Sequence, residues 1–415
     1  MDVKKSFLIL MRLSWRNVWK NRRRTILTLV TITIGTAMII TMQAFQVGSY
    51  EQMIEDAIAE NTGHIQVHEK GYWENQTIDY AFKADDGLIK ILNDKKDIAA
   101  FSKRVHAGAL LSFKDTTSPA IVQAIEPGRE KGVSSLHKYM IKGRYLEPGD
   151  KFEIAVGQVL AKNLGADVGD RIALISQGFD GSIAAEYLTI AGIFKCPNPE
   201  YNRSLLLMNI DTAEKTFTMM GFITSIAIRI DETRKMLEVR DYLRGLPDFE
   251  DLEVMGWDEL MPEIVQFIVM DRYSGYIFVG ILYLVVAFGI LNTIQMSVFE
   301  RIREFGVMLA IGTRPLQVRA MVLMESFFIA IAGISLGILI GSMVSYYFTL
   351  NPIDFSSRAK EMEVWGITTM IFPAHLTLWN LVRTSAITVI LSVIFTYFPA
   401  KKASMLNPIE AIRHL

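Results

Sequence analysis

Four stretches of this chain are long and apolar enough to cross a lipid bilayer, and no other feature restricts its fold as strongly. A helix needs about 20 mostly apolar residues to span a hydrocarbon core of about 30 Å. The fourth stretch reaches that length only if Arg383, near one of its ends, is included. We predict membrane-spanning helices at residues 26–45, 273–296, 322–348 and 378–399.

The composition fits a chain made of two kinds of part. Hydrophobic residues make up 51% of it and charged residues 21%, which is too apolar for an ordinary soluble protein and too polar for a pure membrane bundle. The formal net charge of -1 provides no overall positive field for nucleic acid, so we expect no nucleic-acid partner. The single cysteine, Cys196, excludes a disulfide within the chain, and the sequence assigns it no role.

The first apolar stretch follows a cluster of cations in "RNVWKNRRRTILTLVTITIG". A cleaved secretion signal has a shorter apolar region of about 7–15 residues and a small-residue cleavage site, which "TMQAFQ" at 41–46 does not provide. We therefore favour a retained membrane anchor over a cleaved signal or a nucleic-acid arm.

Lysine and arginine residues beside the spans predict the orientation, because cytoplasmic loops carry an excess of them. Cations flank the first span at 16–24, lie in the 297–321 loop and follow the fourth span, whereas the 349–377 loop has only Arg358 and Lys360. Both termini are thus expected in the cytoplasm. The cytoplasmic segments are then 1–25, the 297–321 loop and the 400–415 tail, and the outer segments are 46–272 and the 349–377 loop.

The outer segment predicts an α+β domain bracketed by two stalk helices, at 46–60 and 258–272. Apolar residues continue at helical spacing past the first span up to Asn61-Thr62-Gly63, and a second such repeat follows Asp258, a candidate N-cap. The stalks are either ordinary core-facing helices or carriers of motion between membrane and domain. Short alternating stretches such as "GHIQVHEKG" predict strands between them.

The outer segment shows no catalytic constellation, so we predict a non-enzymatic chain without a bound metal or cofactor. His64 and His68 share one face of a probable strand, but no third ligand of suitable spacing is near. The chain also lacks a G-x-x-x-x-G-K-[ST] phosphate loop, so any ATP and Mg²⁺ would be bound by another chain.

Polar and small residues in the spans predict helix packing and an ion pair. Gly333, Gly337 and Gly341 recur every fourth residue, a pattern that lets another helix approach closely, within or between chains. Asn292 and Glu325 lie near the membrane interface. Because a polar group in a span usually finds a partner, we expect Glu325 to pair with an arginine, and the candidates are Arg301, Arg303 and Arg319.

The inner loop "FERIREFGVMLAIGTRPLQV" predicts a short amphipathic helix between the second and third spans. Gly312 can cap its end, and Pro315 can open the next helix. Its apolar side could lie on lipid or dock in a groove of a soluble partner. The candidate docking residues are Glu300, Arg301, Arg303, Glu304, Phe305, Gly306, Met308, Leu309 and Gly312.

The same loop resembles the E-R-x-R-E-[IF]-G-x-x-x-A-[IL]-G signature of the FtsX-like permeases of ABC transporters, which include MacB, LolC/LolE and FtsX. The tail "PAKKASMLNPIEAIRHL" is similar to the terminal pattern of that family. "TGHIQVHEKGYW" and "WDELMPE" look like the lipoprotein-releasing LolC/LolE branch, although the first span lacks that branch's usual motif.

The resemblance implies a permease subunit of a type VII ABC transporter in the bacterial inner membrane. Two permeases, identical or sister chains, would pair with two ATPase subunits seated on a coupling helix at 300–312. Lipoprotein or another hydrophobic cargo would leave the outer leaflet for a periplasmic carrier. The cargo-lining candidates are Met42, Phe45, Tyr50, Ile264, Phe267, Ile268 and Tyr276.

Two other functions stay open at this point. One is MacB-like export of periplasmic solutes with an adaptor and an outer-membrane channel. The other is FtsX-like mechanotransmission to a cell-wall hydrolase, which the length of the outer segment disfavours.

Overall fold

The computed structural model describes residues 3–355, 357 and 369–413. Small parts of the predicted 1–25 segment and of the 400–415 tail lie outside the described residues, and so does the middle of the predicted 349–377 loop, including Arg358 and Lys360.

Two compact units make up the chain. The helical unit combines Met1–Gln52, Ile268–Phe355 and Ile371–Leu415. The α/β unit combines Met53–Phe267 and Ser356–Met370.

The described helices include long apolar ones and short ones within the α/β unit. Their bounds are α1 Val3–Val18, α2 Arg22–Ala57, α3 Tyr72–Asn75, α4 Asp86–Asp94, α5 Pro127–Val133, α6 Gln158–Leu164, α7 Pro199–Ser204, α8 Ile210–Thr216, α9 Met236–Arg244, α10 Trp257–Leu260, α11 Pro262–Glu300, α12 Ile302–Ala310, α13 Pro315–Leu350, α14 Leu378–Ser404 and α15 Pro408–Arg413. A π-helical turn, Ile58–Thr62, follows α2, and 3₁₀ turns cover Leu136–Tyr139, Thr233–Lys235 and Pro247–Phe249.

Four of these helices are long and apolar enough to cross a membrane within the described ranges: α2 with its π-helical turn, α11, α13 and α14. A large α+β domain lies between the first and the second of them in the chain. The predicted fold class, an α-helical membrane protein with this insertion, is therefore confirmed. Helix α1 was not predicted, because its residues were interpreted only as a basic segment before the first span.

Most strands of the α/β unit form one large sheet, and two others pair separately. Their bounds are β1 Ile65–Glu69, β2 Phe82–Lys83, β3 Ile98–Phe113, β4 Thr116–Ile125, β5 Met140–Gly143, β6 Glu153–Gly157, β7 Arg171–Gln177, β8 Ile183–Phe194, β9 Leu205–Asn209, β10 Phe222–Ile223, β11 Ser225–Ile230 and β12 Leu252–Gly256. Ten of them join in the order β12-β1-β11-β3-β4-β9-β6-β8-β5, and β7 pairs with both β3 and β8. The other two, β2 and β10, pair with each other in a separate two-stranded sheet. The β4–β9 and β6–β8 pairs are parallel. In the helical unit, β13 Ile353–Asp354 pairs with β14 Ile371–Phe372.

The apolar core of the α/β unit is formed by buried side chains at alternate positions of its strands. Ile65 and Val67 of β1 are fully buried with Val122 of β4 and Leu206 of β9. Because successive side chains of a strand point to opposite faces, this spacing assigns one face of the sheet to the main core. A smaller cluster around Phe194 packs separately.

The helix that begins at Arg22 ends inside the α/β unit, in a π-helical turn whose polar side chains form hydrogen bonds. Gly63 has a φ of +74°, and its amide donates to the Ile58 carbonyl over 3.0 Å, which closes the π-helical turn. The Glu60 carboxylate accepts from the Asn198 amide at 2.8 Å. Asn61 and Gln123 exchange two buried hydrogen bonds of 2.9 and 2.8 Å. The helix end predicted at Asn61-Thr62-Gly63 is confirmed, and hydrogen bonds fix its position on the sheet.

The predicted cap before the second stalk is wrong in detail. Gly256, not Asp258, is the N-cap of α10, and the Glu259 carboxylate accepts the Gly256 amide at 3.0 Å. The helix then breaks at Met261, and Pro262 opens α11. A proline fits the first turn of a helix but removes a hydrogen bond from its interior, which explains the break.

Candidate functional site

The predicted inner-loop helix is present as α12, and its two ends follow from local chemistry. Arg301 leaves helical geometry, with φ −110° and ψ 15°, and so separates α12 from α11. At the other end Gly312 has a φ of +96° and donates to the Leu309 carbonyl at 3.1 Å, while Thr313 donates to Met308 at 3.0 Å. This pair of bonds is a Schellman end, which favours glycine at the position of Gly312.

Helix α12 buries one side and exposes the other. Phe305 is fully buried in an apolar cluster with Val298 and Val318, and Gly306 is buried beside it. Val307 is 44% exposed and Ile311 77% exposed. Neighbouring exposed apolar side chains on an amphipathic helix can contact lipid or a protein partner.

This burial divides the predicted docking set, which stays a prediction. Arg301, Phe305 and Gly306 are buried in this chain, and Met308 and Leu309 are half-buried. The residues of the predicted set that are exposed are Glu300, Arg303, Glu304 and Gly312. Val307 and Ile311, which the predicted set does not include, are also exposed, and both stand in the apolar run of the quoted loop. We call Arg303, Val307, Ala310 and Ile311 the exposed α12 face; all four are exposed.

A buried ion pair fixes the start of α12 to α13. One guanidinium nitrogen of Arg301 donates to both Glu325 oxygens, at 2.9 and 3.0 Å, and the two side chains are only 10% and 8% exposed. Arg301 is therefore the arginine that pairs with Glu325, as predicted for one of Arg301, Arg303 and Arg319. Arg319 instead donates to the Ser404 hydroxyl at 3.2 Å, and Arg303 is exposed.

The N-terminal helix joins the same network, which no sequence signal indicated. Asn17 of α1 donates to Glu325 at 2.8 Å. Lys20 forms an ion pair with Glu304, and Arg24 forms one with Glu300 at 2.6 Å. Two acidic residues of the predicted docking set are thus engaged by cations from the beginning of the chain. Asn292, the other predicted interface residue, is exposed on α11.

The glycine stripe of α13 packs against α2 of the same chain. A Cβ atom at Gly337 would lie 2.7 Å from the Thr36 Cβ and 2.9 Å from the Thr33 carbonyl oxygen. At Gly341 it would lie 3.1 Å from the Ala37 Cα, and Gly333 meets Ile32 in the same way. The close approach also allows the Thr33 hydroxyl to donate to the Gly333 carbonyl at 3.2 Å. The pattern therefore joins the first and third spans.

We expect Gly337→Ala to destabilise the helical unit by about 1–3 kcal/mol, because overpacking forces two backbones apart. Unfolding of the full chain in detergent, followed by circular dichroism, measures this loss. Gly280→Ala on α11 is the matched control, since a Cβ there meets nothing within 4 Å. Equal stability of the two variants would contradict the proposed packing role.

An apolar groove of about 450 Å³ lies beside the glycine stripe, between α2 and α13. Its lining consists of Thr33, Ile34, Ala37, Met38, Thr41, Met42, Phe45, Ile340 and Val344. All lining residues lie in spanning helices, and Met38 and Ile34 are half-exposed at its edge. The groove offers no charged group, so it suits an apolar occupant.

The predicted cargo-lining residues separate into two groups. Met42 and Phe45 line the groove. The other five lie elsewhere: the Tyr50 hydroxyl donates to Asp271 at 2.6 Å, Ile268 is buried, and the Tyr276 ring packs edge-on against Tyr273. Ile264 and Phe267 belong to the α/β unit. Thr33, Met38 and the α13 residues also line the groove but are not in the predicted set, because sequence alone does not pair α2 with α13.

The two histidines considered as metal ligands are buried in separate surroundings. His64 lies 3.1 Å from the Thr233 hydroxyl, and His68 stacks on Tyr72 with ring centres 5.0 Å apart. Within the described residues, no group of three His, Cys, Asp or Glu side chains could hold a metal ion. Burial lowers the pKa of both histidines to about 4.

We expect the α/β unit to lose stability below about pH 6.5 because of these histidines. The folded pKa of about 4 lies below the ordinary value of 6.5, so the unfolded chain binds protons first as the pH falls. Each histidine then costs about 1.4 kcal/mol per pH unit between pH 6.5 and 4, and no more below that. Denaturant unfolding of the full chain at several pH values measures the slope. His68→Phe should reduce this slope by about 1.4 kcal/mol per pH unit, the contribution of one histidine. An unchanged slope would show that His68 does not cause the pH dependence.

Comparison with known proteins gives two family matches. Residues 25–246 match the MacB-like periplasmic core domain, and residues 276–408 match the FtsX-like permease C-terminal region. The second match contains α12 and its predicted docking residues.

Three curated relatives illustrate the similarity. An uncharacterized ABC transporter permease of Methanocaldococcus jannaschii is 22% identical over 96% of each chain. The lipoprotein-releasing system transmembrane protein LolC of Neisseria meningitidis serogroup B is 21% identical over 94% of each chain. The macrolide export ATP-binding/permease protein MacB of the same species is 24% identical over 98% of this chain and 61% of its own length. Similarity to both LolC and MacB leaves the branch open.

Proposed function

Because the chain belongs to the MacB- and FtsX-type ABC transporter permeases, we propose that it couples ATP hydrolysis on separate ATPase subunits to extraction of a hydrophobic cargo. The cargo is a lipoprotein or another lipidated molecule in the outer leaflet of the inner membrane. Two ATPase subunits bind two permeases, identical or sister chains. Both termini and α12 lie on the cytoplasmic side.

The apolar groove between α2 and α13 is the observation that supports this cargo class. A lipidated cargo presents acyl chains, and extraction requires a site that holds them as they leave the lipid. The groove provides a surface of aliphatic, thioether and aromatic groups around Met38, Met42 and Phe45. Methionine adapts to an irregular apolar ligand better than branched side chains do, which suits cargo of varying chain length.

An exposed apolar face of the sheet supports transfer of the cargo to a periplasmic carrier. Register places Leu110 of β3 opposite Ile175 of β7, and Tyr187 of β8 lies opposite Ala173 on the same face. Ile121, Ile175 and Ile183 are all exposed there. Transfer of an acylated molecule to a carrier needs an apolar contact surface, and neighbouring exposed apolar side chains often mark such a surface.

The first test is purification of the tagged chain from its host, in nanodiscs, with mass spectrometry of everything bound. We expect a stoichiometric ATPase together with acylated lipoproteins. An ATPase with an adaptor and no lipoprotein would favour MacB-like export, which the match to the MacB-like core domain also supports. An ATPase with a cell-wall hydrolase would favour FtsX-like mechanotransmission. The absence of any ATPase would contradict the coupling role.

A second test fills the groove. Met38→Trp should slow ATP-dependent release of an acylated lipoprotein from proteoliposomes by about tenfold, equivalent to about 1.4 kcal/mol. Val30→Trp on the same helix is the control, because Val30 is also exposed but does not line the groove. Equal release by both variants would place the cargo site elsewhere.

A further inference from the structure

We infer that α1 is a membrane-surface helix that binds anionic phospholipid headgroups. This goes beyond the proposed function and does not depend on it, since it concerns the bilayer around the permease rather than its cargo. Three features of the helical unit carry the inference: the three-sided pattern of α1, its contacts with α13, and arginines on both sides of its junction with α2 that have no partner among the described residues.

The first feature is the division of α1 into three faces. Ser14 and Val18 are buried and form the face toward the protein, where the Ser14 hydroxyl donates to the Met321 carbonyl at 3.1 Å. Each residue turns the helix by about 100°, so Trp15 and Trp19 lie on the next face around. Arg12 and Arg16 lie beyond the tryptophans, on the side farthest from Ser14. Protein contact, aromatic rings and cations therefore follow one another around the helix.

The second feature shows that the aromatic face adjoins a spanning helix. The Trp15 ring packs edge-on against Phe328 of α13, with ring centres 5.6 Å apart, and against Trp19 at 6.3 Å. Both tryptophans are about half-exposed. Tryptophan is enriched at the boundary between acyl chains and headgroups, because its ring is apolar and its N–H is polar. This face therefore matches the interfacial layer, and the arginine face matches the headgroups above it.

The third feature is a set of cations without partners among the described residues. Arg12, Arg16, Arg22 and Arg23 are exposed, and none of them makes a hydrogen bond or ion pair in the part of the chain that the structure describes. Lys20 and Arg24, by contrast, are paired with Glu304 and Glu300. A guanidinium binds a phosphate through two parallel hydrogen bonds, so the free arginines are complementary to phosphodiester headgroups.

The same contacts connect the lipid surface to α12. Asn17 of α1 donates a hydrogen bond to Glu325, and Lys20, in the turn between α1 and α2, forms an ion pair with Glu304. A headgroup held by Arg16 would thus stabilise the segment that keeps α12 in place. Anionic lipid then favours the observed position of the exposed α12 face.

The test measures lipid retention by the full chain, without ATPase or cargo. The chain is reconstituted in nanodiscs of equal parts phosphatidylglycerol and phosphatidylcholine and transferred to detergent, and the bound lipids are counted by native mass spectrometry. We expect wild type to retain phosphatidylglycerol preferentially. Arg12→Gln with Arg16→Gln should reduce that preference about 25-fold, since each cation near an anionic surface contributes about fivefold. Arg12→Lys with Arg16→Lys should keep most of it.

Lys90→Gln with Lys162→Gln is the matched control, because it removes two exposed cations from the α/β unit. The single variants Arg12→Gln and Arg16→Gln give the same information if the double variant does not fold. Equal retention by the arginine variants and wild type would overturn the inference, as would an equal loss in the lysine control. RNA released from the purified chain by the arginine variants, without a change in lipid, would assign this face to nucleic acid instead.

Discussion

Replacing Arg301 with methionine is expected to lower the free energy of unfolding of the helical unit by about 3–5 kcal/mol. The substitution keeps the length and apolar stem of the side chain but leaves the Glu325 carboxylate buried with only Asn17 as a described partner. Breaking a buried pair costs more than the pair contributes, because the remaining charge stays out of water. Detergent-titrated unfolding of the full chain, followed by circular dichroism, measures the loss.

The double variant Arg301→Met with Glu325→Leu separates this cost from loss of packing. It removes both charges, so most of the lost stability should return, since well-packed apolar residues often replace a buried pair without penalty. Arg301→Lys should fall between wild type and the single variant, because a lysine cannot reproduce the guanidinium geometry. A stable Arg301→Met variant would contradict the cost assigned to the unpaired buried carboxylate.

The membrane architecture could be predicted from the sequence because its physical signals are local. Four apolar runs of sufficient length, the cap at Gly312 and the helix end at Gly63 each depend on a few neighbouring residues. The pairing of Glu325 with an arginine followed from the cost of burying a charge. Such constraints act whatever the tertiary contacts are.

The orientation of α12 could not be predicted, because tertiary packing decides it. Both Phe305 and Val307 belong to one apolar run, and the packing of α12 against its neighbouring helices, chiefly α15, decides that Phe305 is buried while Val307 is exposed. Helix α1 was missed for a related reason. Its apolar residues alternate with cations, and the structure distributes them over protein, aromatic and cationic faces that a linear pattern does not distinguish.

Placing two glutamates on the exposed α12 face should strongly weaken binding of the ATPase. We expect Val307→Glu with Ile311→Glu to weaken binding at least about 30-fold, equivalent to about 2 kcal/mol, because buried apolar anchors contribute most of the energy of an interface. The two side chains are exposed in this chain, so their substitution should leave the fold intact. Co-purification with the ATPase and ATP hydrolysis in nanodiscs measure the loss.

The matched control for this prediction is Ile183→Glu with Met220→Glu, which changes two exposed apolar residues of the α/β unit and should leave ATPase binding unchanged. Comparison with Arg301→Met then distinguishes two ways of losing coupling. The Val307 and Ile311 variant should be as stable as wild type but fail to bind the ATPase, whereas Arg301→Met should lose stability and binding together. Undiminished ATPase binding by the Val307 and Ile311 variant would show that the ATPase is seated elsewhere, because two charges cannot be buried in an apolar interface without this cost.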